Sequence, residues 1–224
     1  MIDLCKHLEF FDPERLHGKP VHIIGLGAIG SSIAETLTRL GIEDIHIYDF
    51  DTVDTPNIAN QVYFTHQLTQ LKTKATEENI KAINPDANVT IHEDGWTENT
   101  TLDGHVFIAV DSIETRKKII DTNLFNPNII TMSDYRMRLT DAQHYLAKWD
   151  DMKQKEALRK ASDFTEEEAK EATPLSACGT TLSVYPTIKA IVALGIANWM
   201  NTILTNTNKT IIMLDTFAPN ILTN

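Results

Sequence analysis

The chain has 224 residues, with 31 acidic and 20 basic side chains and a formal net charge of −11. A hydrophobic fraction of 42% is enough for one sizeable core and argues against global disorder. The acidic balance excludes bulk nucleic-acid binding, which needs clustered Lys and Arg, and the two cysteines, Cys5 and Cys178, cannot build a Cys₄ zinc site.

The first strand is expected at Val21–Ile24, an apolar run that ends in glycines. A helix follows over Ala28–Leu40, with Ile29, Ile33, Leu37 and Leu40 on one face and Gly41 as its cap. Ile45–Tyr48 reads as a second strand and Asp49 to about Thr65 as a polar loop. Gln67–Ile83 reads as a helix stopped by Asn84-Pro85. Strands are expected at Asn88–His92, His105–Val110, Asn128–Met132 and Gln143–Trp149, with a helix over Ile113–Leu124. Strand and helix alternate through the first 130 residues. That order predicts a doubly wound, mostly parallel α/β sheet of Rossmann type with helices on both faces, leaving room for antiparallel strands in the C-terminal part.

The segment Asp150–Ala172 breaks this rhythm with eight acidic and five basic residues. Its composition suits a solvated helix or a mobile connector, or else a lid that orders over a substrate. An apolar helix is expected from about Thr181 to Thr205, and a last strand at Lys209–Leu214. The helix is apolar on nearly every face, which fits burial in the core or in a dimer interface. It carries Lys189, Asn198 and Asn201, and no apolar run reaches the roughly 18 residues of a membrane span. The N-terminus lacks the basic-then-apolar pattern of a signal peptide, so a cytoplasmic protein in one domain, 1–224, with a charged connector at 150–177, is the expectation. The eight histidines show no metal-ligand spacing, and most are expected at the surface or at strand edges.

Gly25-Leu26-Gly27-Ala28-Ile29-Gly30 is a GxGxxG between a strand and a helix. Its first glycine allows a tight turn, the second a close approach of backbone to phosphate, and the third close packing of helix on strand. Asp49 ends the second strand, 19 residues after Gly30, where a carboxylate accepts from ribose hydroxyls. So far NAD and ATP fit equally. The following residues, Asp51, Asn57, Gln61, Lys72 and the pair Asp111-Ser112, are unneeded by a dehydrogenase. They suit ATP, because a lysine and amides meet phosphate, and a carboxylate at a strand's C-terminal edge, Asp111, can hold Mg²⁺.

These blocks resemble the MoeB/ThiF/HesA adenylyltransferases, the core of ubiquitin-activating enzymes. The resemblance rests on Tyr48-Asp49-Phe50-Asp51-Thr52-Val53, Asn57-Ile58-Ala59-Asn60-Gln61, Lys72 eleven residues before Ile83-Asn84-Pro85, Asp111-Ser112 and Arg136-Met137. It implies use of ATP and Mg²⁺ to place AMP on the C-terminal glycine carboxylate of a small ubiquitin-like protein or peptide. It also implies a homodimer. Gly25, Gly27 and Gly30 would cradle the nucleotide, with Asp49 at the ribose. Asn57, Gln61 and Lys72 would meet phosphate, with Asp111 at the metal. Asn60 stands where the family has an arginine that holds the triphosphate, which leaves Lys72 or Arg116 to compensate. The family's paired CxxC zinc motifs and its N-terminal arginine helix are not found. Cys178 occupies the region where some members carry an acceptor thiol. A helix N-terminus there would lower its pKa, and a small buried cysteine explains it as well.

Overall fold

A computed structural model describes residues 2–165, 167–168 and 182–224. Its centre is one eight-stranded sheet in the order β3-β2-β1-β4-β5-β6-β7-β8. The strands are β1 (Val21–Ile24), β2 (Asp44–Tyr48), β3 (Asn88–His92), β4 (Gly104–Ile108), β5 (Ile129–Met137), β6 (Asp141–Lys148), β7 (Ile211–Asp215) and β8 (Asn220–Thr223). The first five run parallel, and β5 to β8 are joined antiparallel. The chain reverses sheet direction between β2–β3 and β4–β5, so the C-terminal edges of β1 and β4 form a switch point, where such sheets bind ligands.

Alternation decides which layer each strand residue enters. Val21, Ile23, Ile45, Ile47 and Phe107 face helices α1 (Ala28–Arg39), α2 (Lys72–Ile83) and α5 (Tyr185–Thr205). Ile24, Tyr48, Val106, Ile108 and Met132 face α3 (Ile113–Thr122) and α4 (Met152–Ala161). By length and composition helix α5 does pass for a membrane span, contrary to the expectation from its polar residues. Here it buries Ile188, Ile191, Val192, Ile196 and Trp199 in the core beside α1.

Two expectations are corrected. The second helix begins at Lys72, because Thr65–Gln67 form a 3₁₀ turn and Thr69 takes a left-handed φ of 70° that interrupts a helix before it starts. The fifth strand runs on through Ser133, Asp134, Tyr135 and Arg136, polar residues that are mostly buried by ion pairs and packing. Of the forms expected for the charged segment, Met152 to Ala161 takes the solvated helix, anchored at a few points. Asp151 caps α4 by accepting from the N–H groups of Lys153 and Gln154, Leu158 is buried, and Lys155 donates from Nζ to the carbonyl of Leu124 at 2.9 Å. Residues 169–181, the rest of that segment, lie outside the described residues.

Five of the eight histidines, His7, His17, His46, His66 and His92, are exposed or partly so, as expected of most of them. His22, His105 and His144 are buried. His22 and His46 are register neighbours with ring centroids 4.6 Å apart, and His92 stacks on Tyr48 at 4.0 Å. Tyr48 Oη lies 2.8 Å from His22 Nδ1. Trp199 donates from Nε1 to His105 Nδ1 at 3.2 Å. Burial, with the charge of His46 beside it, pushes His22 down to about 4. Burial alone pushes His105 to about 4 and His144 to about 3.

Candidate functional site

Gly25 follows β1 with φ +90°, and a Cβ there would meet the carbonyl oxygen of Ala109 at 2.8 Å. At Gly30 a Cβ would fall 1.8 Å from the carbonyl oxygen of Gly25, so only glycine lets α1 pack on the turn it leaves. Gly27 differs: it caps α1, and a Cβ there meets nothing within 4 Å. The loop is thus closed at its ends and open at its middle, over the N-terminus of a 12-residue helix whose dipole and free N–H groups favour an anion.

The loop is held from below by Asp49. Its Oδ2 accepts from Leu26 N–H at 2.6 Å and its Oδ1 from Asp51 N–H at 2.8 Å. Burial raises the carboxyl above its ordinary value, against these two donors and the charge of Lys72. Lys72, the first residue of α2, is nearly buried, and its Nζ pairs with Asp51 Oδ2 at 2.9 Å. Its own N–H donates to the Asp51 carbonyl at 2.8 Å. Leu26 of the loop, Asp49, Asp51 and Lys72, apart in sequence, therefore form one hydrogen-bonded unit, and Gly25, Gly27 and Gly30 shape the turn it holds. Tyr63 also belongs to it: its Oη donates to the Leu26 carbonyl at 2.7 Å and lies 3.1 Å from Thr76 Oγ1. Its spacing matches no motif, so no sequence signal marks it.

The polar loop ties in through Val62 N–H, which donates to Ser31 Oγ in the first turn of α1 at 3.1 Å. Asn57 is engaged locally: its Oδ1 accepts from Asp54 N–H at 2.9 Å in a capping box. Gln61 keeps a buried Oε1 with no hydrogen-bond partner among the described residues. Asn60 donates from Nδ2 to Ser183 Oγ at 2.5 Å, across 123 positions, and so ties this loop to the segment entering α5.

Asp111 is exposed in the turn after β4, beside β1 at the sheet's C-terminal edge. Ser112 faces a different task, because its Oγ caps α3 by accepting from Thr115 N–H at 3.1 Å. Arg116 does not reach the open side. Its guanidinium is buried, donates to the carbonyls of Val110 and Tyr135, and pairs with Asp134. Of the two residues left to compensate for Asn60, Arg116 is thus turned inward, and Lys72 is the one beside the loop. Cys178 lies outside the described residues.

The glycine loop, the buried acid at the end of β2 and the lysine opening α2 sit within one unbroken sequence match. The description "ThiF family" fits residues 9–222. The chain belongs to the ThiF family. Among curated relatives, ubiquitin-like modifier-activating enzyme 5 of Caenorhabditis elegans is 32% identical over 93 residues, which is 42% of this chain and 22% of that protein. The tRNA threonylcarbamoyladenosine dehydratase of Haemophilus influenzae is 30% identical over 113 residues, 47% of this chain and 43% of that protein. The ThiF-family chain thus matches less than half the length of either. Among solved structures, E. coli MccB with ATP superposes with a TM-score of 0.71 at 15% identity, covering 95% of this chain and 65% of MccB. PaaA superposes at 0.70 and 16% identity with the same coverage. Both share the fold.

Proposed function

We propose that this ThiF-family chain is an adenylyltransferase that transfers AMP from ATP to the C-terminal glycine carboxylate of a ubiquitin-like protein or peptide. One carboxylate oxygen attacks the α-phosphorus, a P–O bond forms, the α–β bridge breaks, and pyrophosphate leaves with the electron pair. The observation that carries this reading is the joined unit of open loop, Asp49, Asp51 and Lys72, with exposed Asp111 on the neighbouring strand. NAD accounts for the loop and Asp49 but leaves Lys72 and Asp111 without a task.

The chain's own groups suit positioning and charge neutralisation rather than covalent chemistry. Asp49, already aligned by two N–H donors, presents its remaining lone pairs to ribose hydroxyls. Lys72 exchanges its partner Asp51, which is half exposed, for phosphate oxygen. An exposed carboxylate fits Mg²⁺ carried in on a nucleotide, since that ion takes one or two carboxylates plus phosphate oxygens. Asp111 would hold such an ion, which would supply charge neutralisation at the phosphates. Asn57 and Gln61 border the phosphate side as polar donors. Cys178, in this reading, is an acceptor thiol for the activated acyl group.

The test is ATP–pyrophosphate exchange with ubiquitin-like proteins and peptides ending in glycine. Exchange that depends on the free C-terminal carboxylate is the expected result. ATP binding without exchange would mark a partner-binding relative that has lost turnover, and NAD binding without ATP binding would replace the reading with an oxidoreductase. For Cys178, a thiol-sensitive conjugate with the partner is expected in the wild type and absent in Cys178→Ala.

A further inference from the structure

Beneath the Asp111 turn lies a group of charges that no part of the proposed transfer uses. Asp134, in the middle of β5, is fully buried. Its two carboxylate oxygens are divided between two arginines. Oδ1 pairs with Nη1 of Arg116 on α3. Oδ2 accepts from Nε and Nη2 of Arg136 at 2.8 and 2.6 Å. Burying three charges is costly, and well-packed apolar residues hold a sheet as well or better. Core packing alone therefore does not account for the arrangement.

The other donors of the two guanidiniums point to what it does. Arg116 donates from Nη2 to the carbonyl of Val110, the residue before Asp111, and from Nη1 to the carbonyl of Tyr135 at 3.2 Å. The same turn ends in Ser112, the cap of α3, the helix that carries Arg116. Arg136 donates from Nη1 to the Ala161 carbonyl at 2.5 Å and from Nη2 to Ser162 Oγ at 2.8 Å. These are the last residue and the C-cap of α4, where a cation also meets the negative end of the helix dipole. The Arg136 guanidinium lies 4.6 Å from the Tyr145 ring centroid and 5.3 Å from that of Phe164, just past the cap. One carboxylate thus joins the turn after β4 to the end of α4, 50 residues later in the chain.

We propose that Arg116, Asp134 and Arg136 are positioning residues that couple the Val110–Ser112 turn to the C-terminal end of α4, so that order at one end sets order at the other. The value of this triad to nucleotide binding rests on the proposed role of Asp111. The coupling itself does not.

The test uses Arg136→Gln, which changes the arginine remote from the turn, with Asp134→Asn beside it. Amide hydrogen exchange is followed at Ala109 and Thr115, whose N–H groups are bonded to Ile24 and Ser112 at the two ends of the turn, and at Ser162 on α4. Gly25, bonded to Tyr48 on the other side of the site, is the reference. In Arg136→Gln, exchange at Ala109 and Thr115 is expected to rise about tenfold together with Ser162, the factor carried by one hydrogen bond to a charged group. Gly25 should stay unchanged. Acceleration confined to Ser162, or equal at Gly25, overturns the coupling. If Asp134→Asn fails to fold, Arg136→Gln alone decides the coupling.

ATP titrations with and without Mg²⁺ supply the second readout. Arg136→Gln should lose severalfold of the Mg²⁺-dependent gain in ATP affinity and keep the Mg²⁺-free affinity. An undiminished gain alongside spread exchange would overturn the role given to the triad in placing Asp111. A wild-type protein that binds no ATP would instead overturn the nucleotide reading, and the exchange data would still decide the coupling.

Discussion

The two sides of the site are held by different means. On the β1–β2 side the glycine loop is fixed by backbone N–H groups donating to one buried carboxylate, Asp49, with Tyr63 closing on the Leu26 carbonyl. On the β4 side the Asp111 turn is fixed by a guanidinium that reaches up from the core, itself balanced on Asp134. The first arrangement is local, and nearly all of it lies between residues 24 and 76. The second joins α3, β5 and α4. A rigid anion cradle needs backbone and little else. The turn after β4 depends instead on a charged network that reaches two helices away.

Acid should have the largest effect, and it acts on both sides at once. His22 and His105 are held near about 4 and His144 near about 3, against an ordinary 6.5. The unfolded chain therefore binds more protons below pH 6.5. The stability these histidines contribute is complete above that value and is lost as pH falls toward the folded values. With three protons taken up on unfolding, the slope approaches about 4 kcal/mol per pH unit between pH 6 and 4. Denaturant midpoints across pH 4–8 check this, and a flat profile down to pH 5 would contradict it. Comparison of the two sides belongs above pH 7.

Substitution of the glycines separates packing from binding within one loop. Gly30→Ala drives a Cβ into the Gly25 carbonyl and should cost about 3 kcal/mol, lowering Tm by about 6–12 °C. Gly27→Ala has room and should change stability by less than about 1 kcal/mol, yet weaken ATP binding, because the methyl fills the open middle of the cradle. Calorimetric melts and ATP titrations of both variants check the contrast. Equal melts with equal affinities would break it.

Lys72→Ala should weaken ATP about tenfold or more, the worth of a charge-assisted contact to phosphate. Its Tm should move little, since the lost pair with half-exposed Asp51 contributes about 1 kcal/mol at most. Asn60→Arg is the smallest step. It gives up the bond to Ser183 and restores the guanidinium that the family pattern has at that position, so ATP affinity should rise a few-fold. Weaker binding would show that the Asn60–Ser183 tie matters more to the loop than a charge does.

What is legible in the amino-acid order follows the same division. The glycine loop, Asp49, Asp51, Lys72 and Asp111 are readable because adjacent residues define their elements: apolar runs for the buried parallel strands, glycines at the turns, Asn84-Pro85 after α2. The charged seam is not. Ser133, Asp134 and Arg136 look like the end of a strand to any rule that equates burial with apolar side chains, and only partners from α3 and α4 make them core. Arg116 reads as a phosphate ligand for the same reason, since an arginine five residues after Asp111 reveals nothing about an aspartate 18 residues further on. Strand β8 escapes a sequence reading because it is short, exposed and set just after Pro219, with no apolar alternation to mark it. The buried His22 and His105 are unmarked in sequence because their partners, Tyr48, Thr131 and Trp199, come from other elements.

The central claim is that the unit of glycine loop, Asp49, Asp51 and Lys72 binds ATP. Isothermal titration of the wild-type chain with ATP and with NAD, each in the presence of Mg²⁺, tests it most directly. The account predicts saturable binding of ATP that Lys72→Ala weakens, and no binding of NAD at matching concentrations. Tight NAD binding with none of ATP would contradict it.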